Sequence, residues 1–375
     1  MHESQLHTLP DPGHYETAGC TVSVSHAVED RHWDAFVATV PCGDYVQTSL
    51  WAQVKAIAGW RATRIIIRCA GAIIAGAQLL IRPVPHVGVI GYVPRGPLLA
   101  REDPELIGLV IDALHREARS QHLPYLVVQP PRNGAALVPY LTESGFGPSP
   151  IQAATTVTSR IDLSRSLDHI WAQMHKQTRR NIRRGLRRGV TVREGTENDL
   201  AVFHQLHVAA SERRRLPPYP MENLRQMWAA FAPYGYVRLF LAEYEGDAVA
   251  AHLTIPFGDT LLSKRSGWSA RHGSPKANET LEWGVIQWAK LRGYHYYDLD
   301  GLDSRAACYA GDRNRLPDPL RQTWTSYKLG FGGDVVVFPR AYDYVYNPLV
   351  RPVYRAVFPR IAGLPTVKRL VARLQ

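Results

Sequence analysis

The sequence predicts an α/β (α+β) protein of two similar domains, each a mixed sheet flanked by helices. Three observations carry this. The chain has 375 residues, which suits two cores of ordinary size. An apolar strand hairpin, then a helix, then a buried strand occurs twice in the same order. The hairpin strands are long and apolar, as in sheets with an antiparallel part covered by helices. Rossmann doubling is disfavoured, because no G-x-G-x-x-G leads from a strand into a helix.

Residues 1–25 read as a loose leader. Residues 45–59 have helical spacing, with Trp51, Val54, Ile57 and Ala58 on one side. Residues 62–83 read as two strands joined by a turn at Ala70 and Gly71. Residues 88–98 form a strand that ends in a Pro/Gly loop. Residues 105–121 read as a helix, with Leu106, Leu109, Val110, Ala113 and Leu114 in register. Residues 125–131 (YLVVQPP) are a buried strand closed by prolines.

The second half begins with helices over 167–188, 200–214 and 223–232. Residues 236–259 are again strand, Gly turn, strand, with a small-residue pattern like that of 62–83. A helix over 280–292 leads into the strand 294–301 (YHYYDLDG). The tail from Tyr344 is rich in Pro and Arg. Residues 366–374 alternate apolar and basic at helical spacing, which reads as a packing helix ahead of a helix in peripheral contact with a membrane surface.

Composition narrows the class. Hydrophobic residues make up 45% and charged residues 21%, so the bulk of the chain is not disordered. Subtracting 33 Asp+Glu from 44 Lys+Arg leaves +11, most of it from Arg. Such a surplus suits a phosphate-rich partner. Cys20, Cys42, Cys69 and Cys308 are widely spaced and form no C-x-x-C, so neither a disulfide framework nor a zinc site is expected. The 15 histidines form no H-x-x-x-H, and no G-x-S-x-G is present. The start lacks a basic stretch followed by an apolar run, and the apolar stretch 65–81 is broken by Arg68 and glycines. The expected location is the cytoplasm.

Four segments stand out: Ser49-Leu-Trp51 through Lys55 to Trp60; Tyr92-Val-Pro94-Arg95-Gly96-Pro97; Thr178-Arg-Arg-Asn181-Ile182 on to Gly189-Val190; and Tyr297-Asp298-Leu-Asp-Gly301 followed by Tyr327-Lys328-Leu-Gly-Phe331-Gly332-Gly333. Together they resemble the FemABX family of aminoacyl-tRNA-dependent peptidyltransferases, over about residues 45–343, in the FemX-like form without a coiled-coil arm. The resemblance implies two tandem GNAT-like domains. The first would span 1–158, with 340–375 returning to it, and the second 159–339. It implies attack by an acceptor amine on the ester of an aminoacyl-tRNA, with no metal or organic cofactor.

The site residues follow from chemistry and resemblance together. Acyl transfer develops an oxyanion, and a fixed ammonium stabilises it. Lys328 precedes Gly330, Gly332 and Gly333, which let backbone approach a ligand, and by resemblance it is the lysine near the ester, with Tyr327 beside it. Asp298 ends an aromatic strand, where it could orient the amine or take its proton, or else cap the next turn; Asp300 is a weaker candidate. By resemblance Lys55 contacts the diphosphate of the acceptor, Arg214 or Arg215 with Tyr219 faces the same acceptor, and Arg215 keeps the spacing best. Tyr92 and Arg95, at the Pro94–Pro97 loop, are candidates to shape the acceptor pocket, a role compatible with a rigid turn there. Arg179, Arg180, Arg183, Arg184, Arg187 and Arg188 fall on one half of a helix, with Ile182 and Leu186 opposite and almost no acids to pair with, a track for tRNA phosphates.

The acceptor amine is expected on a peptidoglycan precursor stem peptide. A small amine in antibiotic biosynthesis is the alternative, kept open by the divergent segment 213–220. An acyl-CoA N-acyltransferase would need an R/Q-x-x-G-x-G/A loop at a helix start, and no clean copy is present. A non-catalytic nucleic-acid-binding protein would keep the Arg face without needing Lys328. DNA is not an expected partner.

Overall fold

The computed structural model describes residues 14–17, 19–84, 88–151, 154–269, 275–309 and 313–361. The chain divides into two compact units: Met1–Ala154 with Phe338–Gln375, and Thr155–Val337.

In the first unit, β1 (His14–Thr17), β2 (Cys20–Ser25), β3 (Arg61–Cys69), β4 (Ala72–Val84) and β5 (Gly88–Val93) are successive antiparallel neighbours. The short β6 (Leu98–Leu99) pairs with β4. Between β2 and β3 lie α1 (Arg31–Thr39) and α2 (Ser49–Ala56). The helix expected over 45–59 is shorter. Residues Tyr45–Gln47 form a 3-10 turn, and α2 starts only where the Thr48 hydroxyl accepts from the Trp51 N–H at 3.1 Å. Helix α3 (Pro104–Ser120) begins with Asp103 capping Glu105 and Leu106, then crosses back so that β7 (Tyr125–Val128) lies parallel to β5. Its apolar face, Leu106, Val110 and Leu114, packs on Ile65, Ala77, Leu79 and Leu126. The helix α4 (Leu137–Glu143) and strand β8 (Gly147–Pro148) follow.

Cys20 and Cys69 stand directly opposite each other in β2 and β3 and form a disulfide. This corrects the reading from spacing. The partners are 49 residues apart in sequence, and only the strand register juxtaposes them.

The second unit holds one sheet in the order β10-β11-β12-β13-β14-β9-β15. Its elements are, in chain order, β9 (Val157–Asp162), α5 (Leu167–Gln173), α6 (Lys176–Arg187), β10 (Thr191–Gly195), α7 (Leu200–Arg213), α8 (Met221–Phe231), β11 (Arg238–Tyr244), β12 (Asp247–Phe257), β13 (Thr260–Trp268), α9 (Ala277–Leu291), β14 (Tyr296–Gly301), α10 (Asp318–Arg321), α11 (Trp324–Leu329) and β15 (Asp334–Val337). The single helix expected over 167–188 is two. Met174 is extended, and His175 caps α6 by accepting from the Gln177 N–H. Strand β13 was not anticipated, because Lys264, Arg265 and Ser266 hide its pattern.

Strands β13 and β14 are parallel, joined by α9 as β5 and β7 are by α3. They pair only at Thr260–Tyr296, Leu261–Tyr297 and Leu262–Asp298. Beyond Leu262, β13 continues along β12 to Trp268, while β14 stays with β9. The two strands therefore part after three rungs.

The chain then returns to the first unit. Strand β16 (Tyr342–Val345) lies between β7 and β8, and α12 (Val350–Ile361) follows it.

Candidate active site

Lys328 lies in the last turn of α11, half-buried. Its Nζ donates to the carbonyls of Gly301 at 3.0 Å and Asp300 at 3.3 Å, at the end of β14. One turn earlier, the Trp324 ring lies 5.1 Å below the ammonium. Burial draws the Lys328 pKa down, and the charges of Asp300, Glu282 and Asp298 oppose that. The structure thus holds the Lys328 ammonium in a partly dry site at the end of β14, which parts from β13. Tyr327 packs edge-on against Phe331 at 5.2 Å, and burial pushes its phenol well up.

Asp298 is 1% exposed. Its Oδ1 accepts from the Thr158 hydroxyl at 2.5 Å and from the Asp300 N–H at 2.8 Å, and Arg160 Nε lies 4.0 Å from its Oδ2. These are the bonds of a turn-capping carboxylate. They hold Asp300 in the left-handed region, φ 56°. Asp298 therefore shapes the carbonyl pair that seats Lys328.

The three arginines after α7 separate. Arg213 stacks on Trp268 at 3.9 Å and donates to its carbonyl. Arg214 lies near enough for its charge to act on both Tyr327 and Lys328. Arg215 is exposed, at φ 54°. The Tyr219 backbone is fixed by His204 and His207, and the guanidinium of Arg265 covers the Tyr219 ring at 3.6 Å.

On α6, Thr178, Ile182 and Gly185 form the buried stripe. Arg180, Arg183, Arg184, Arg187 and Arg188 are exposed, and Arg179 is half-exposed. Leu186, expected on the buried side, is 52% exposed, because Gly185 takes the position nearest α9. The helix itself contains no acidic residue. Arg183 lies 5.2 Å from the Trp171 ring and Arg179 donates to the Ala172 carbonyl, which anchors the start of the basic face.

In the first unit, Tyr92 and Arg95 come together. The Tyr92 hydroxyl donates to Gln129 Oε1 at 3.4 Å, and burial pushes its pKa up while the Arg95 charge opposes that. Arg95 is 5% exposed, at φ 50°, with its guanidinium 4.9 Å from the Phe338 ring. Arg132, missed in the sequence, lies 5.2 Å from the same ring and pairs with Asp44 at 3.2 Å. Lys55 lies on the last turn of α2, 5.4 Å from the Trp51 ring.

Among the described residues no group of acids, histidines and cysteines could hold a metal ion, and no helix is long and apolar enough to cross a membrane. The segment 366–374 lies outside the described residues. Just before it, α12 leaves Val350, Val353 and Val357 exposed.

Residues 28–137 match the FemAB family, and residues 172–306 match the acetyltransferase (GNAT) domain. The lipid II:glycine glycyltransferase of Staphylococcus aureus is 26% identical over 233 residues, 59% of this chain and 55% of that protein. The crystal structure of FemX superposes with a TM-score of 0.76 at 18% identity, over 89% of this chain and 99% of that one. These matches make the chain similar to proteins of the FemABX family. A tandem GNAT protein from the clavulanic acid biosynthesis pathway shares the fold more loosely, at TM-score 0.50 and 12% identity, over 87% of this chain and 99% of that one. The chain spans about half the length of the curated relatives it matches. Its two units are the GNAT-like repeat expected from sequence, with mixed sheets and helices.

Proposed function

We propose that this protein is an aminoacyltransferase. It moves an amino acid from an aminoacyl-tRNA to an amine on a peptidoglycan precursor stem peptide, forming an amide bond. The observation that carries this reading is Lys328: an ammonium held by two carbonyls where β13 and β14 part. The aminoacyl ester is already activated, so the chemistry mostly needs positioning and charge stabilisation. Lys328 stabilises the oxyanion of the tetrahedral adduct. Arg214 adds a second cation close to it. The exposed arginines of α6 bind the tRNA phosphates. Lys55, Tyr92 and Arg95 bind the acceptor, with Lys55 at its diphosphate. The likeness to a lipid II:glycine glycyltransferase supports this class of acceptor. The reading places the protein in the cytoplasm, where charged tRNA is found.

An acyl-CoA donor is less well supported. In the first unit, the N–H groups at the start of α3 that a pyrophosphate would use are capped by Asp103. The deciding experiment offers a pool of charged, radiolabelled tRNAs to the protein with a nucleotide-linked muramyl pentapeptide, with and without RNase. RNase-sensitive labelling of the pentapeptide is the expected result, and it also names the amino acid. RNase-sensitive loss of label from tRNA without labelled pentapeptide points to another amine acceptor. No consumption of charged tRNA refutes the reading, and acetyl-CoA binding is then measured.

A further inference from the structure

His252, in β12, is 2% exposed. Its Nε2 lies 2.6 Å from Ser263 Oγ in β13, and its Nδ1 lies 3.6 Å from Glu282 Oε2 in α9. The phenol of Tyr297, itself fully buried, donates to the other oxygen of Glu282. These four residues come from three strands and one helix, and they share the face of the sheet that α9 covers. Ser263 is the first residue of β13 beyond its last rung with β14. It is half-buried, so the chain Ser263–His252–Glu282 runs from the opening between the strands into the core.

The direction of the Ser263–His252 hydrogen bond follows from burial and from the Glu282 carboxylate, which lies 3.6 Å from Nδ1, beyond hydrogen-bond distance. Desolvation pulls the His252 pKa down, so the imidazole is neutral at neutral pH. A carboxylate only accepts, so the ring's N–H points at Glu282, and Nε2 is left to accept from the Ser263 hydroxyl. Two charges face the imidazole: Glu282 from α9, which raises its pKa, and Lys328 from α11, which lowers it. Ser263 faces it from β13, and Tyr297 of β14 reaches it through Glu282.

Amide formation needs such a group. The attacking amine becomes an ammonium as its N–C bond forms. It must lose a proton, and the ribose oxygen must gain one as its C–O bond breaks. The carboxylate of Asp298 is already engaged by Thr158 and the Asp300 N–H.

We propose that the Ser263 hydroxyl, backed by His252 and Glu282, is the proton relay of the transfer reaction. The adduct's ammonium passes a proton to Ser263 Oγ as Ser263 passes its own to His252 Nε2. The reverse movement delivers a proton to the leaving ribose oxygen, so no net proton is gained or lost. Glu282 steadies the transient imidazolium, and Tyr297 holds Glu282 in place. Ser263 touches the reacting atoms, while His252 and Glu282 are positioning residues that act through it. The proposal rests on the aminoacyl-tRNA reading above.

The test measures kcat, KM for the acceptor and tRNA affinity for the wild type, Ser263→Ala, Ser263→Thr and His252→Gln, from about pH 5 to pH 9. Loss of general acid–base help predicts a fall in kcat of about 10²–10⁴-fold for Ser263→Ala and His252→Gln, with tRNA affinity and acceptor KM unchanged. The acidic limb of the wild-type kcat profile should vanish in His252→Gln, and Ser263→Thr should recover part of the rate. A wild type that transfers while Ser263→Ala keeps its rate and its acidic limb overturns the relay alone. A wild type that consumes no charged tRNA overturns the underlying reading and the relay with it. If His252→Gln does not fold, Ser263→Ala decides, since it removes one hydroxyl from a half-buried residue and no buried charge.

Discussion

Lys328 Nζ donates to the Gly301 carbonyl at 3.0 Å, so the one ammonium of α11 is fixed to the end of β14. A fixed charge needs little reorganisation when an oxyanion forms beside it. Lys328→Ala should therefore lower kcat by about 10²–10³-fold. Binding of tRNA, measured by filter retention or fluorescence anisotropy, should stay unchanged. Equal transfer rates in the variant and the wild type would remove Lys328 from the reaction.

The basic face of α6 predicts a different signature. Arg180, Arg184 and Arg188 are all exposed. Changing all three to Gln should weaken tRNA binding and flatten its dependence on salt. Each lost phosphate contact lowers the slope of log K against log salt by about 0.7–0.9, so about 2 to 3 in total. The slope is read from binding isotherms at several ionic strengths. An unchanged slope would mean that tRNA uses another surface.

Gly185 fixes the seat of that helix. A Cβ built there lies 2.0 Å from Thr280 Oγ1 and 3.2 Å from the Lys276 carbonyl. Gly185→Ala must push α6 away from α9, at a cost of about 1–3 kcal/mol. Urea unfolding monitored by tryptophan fluorescence measures it. Gly189→Ala is a poor control despite its open surroundings, because Gly189 has φ 85°.

Acid should act on the pair Asp199–Arg193. Hydrogen bonding to Arg193 holds the Asp199 carboxyl down at about 2. Its folded pKa lies below the unfolded one, so the pair's contribution is fully present above about pH 4. It is lost as pH falls toward about 2. Arg193 is 43% exposed, so screening holds the gain to about 1 kcal/mol or less. Wild type should exceed Asp199→Asn in stability at neutral pH and converge with it near pH 2. The comparison is by denaturant titration at each pH.

Much of this was legible in the sequence because local pattern carried it. The hairpins of 62–83 and 236–259, the helices after them and the Arg face of α6 all follow from short-range periodicity. What escaped depends on partners distant in the chain. Cys20 meets Cys69 only through strand register. His252 reads as an isolated histidine until β13 and α9 bring Ser263 and Glu282 to it. Arg132 acquires a partner because Phe338 and Asp44 converge on it. Leu186 looked like core because periodicity cannot tell that a neighbouring glycine will take the closest approach.

The return of β16 to the first sheet has a consequence for biosynthesis. Tyr342–Val345 fills the place between β7 and β8, so that sheet lacks an interior strand until all of the inner unit has been made. The inner unit, Thr155–Val337, is contiguous and is complete before that strand is made. Emergence order therefore reverses the usual N-terminal-first rule: the later-encoded unit can mature while the earlier one still waits for its final strand.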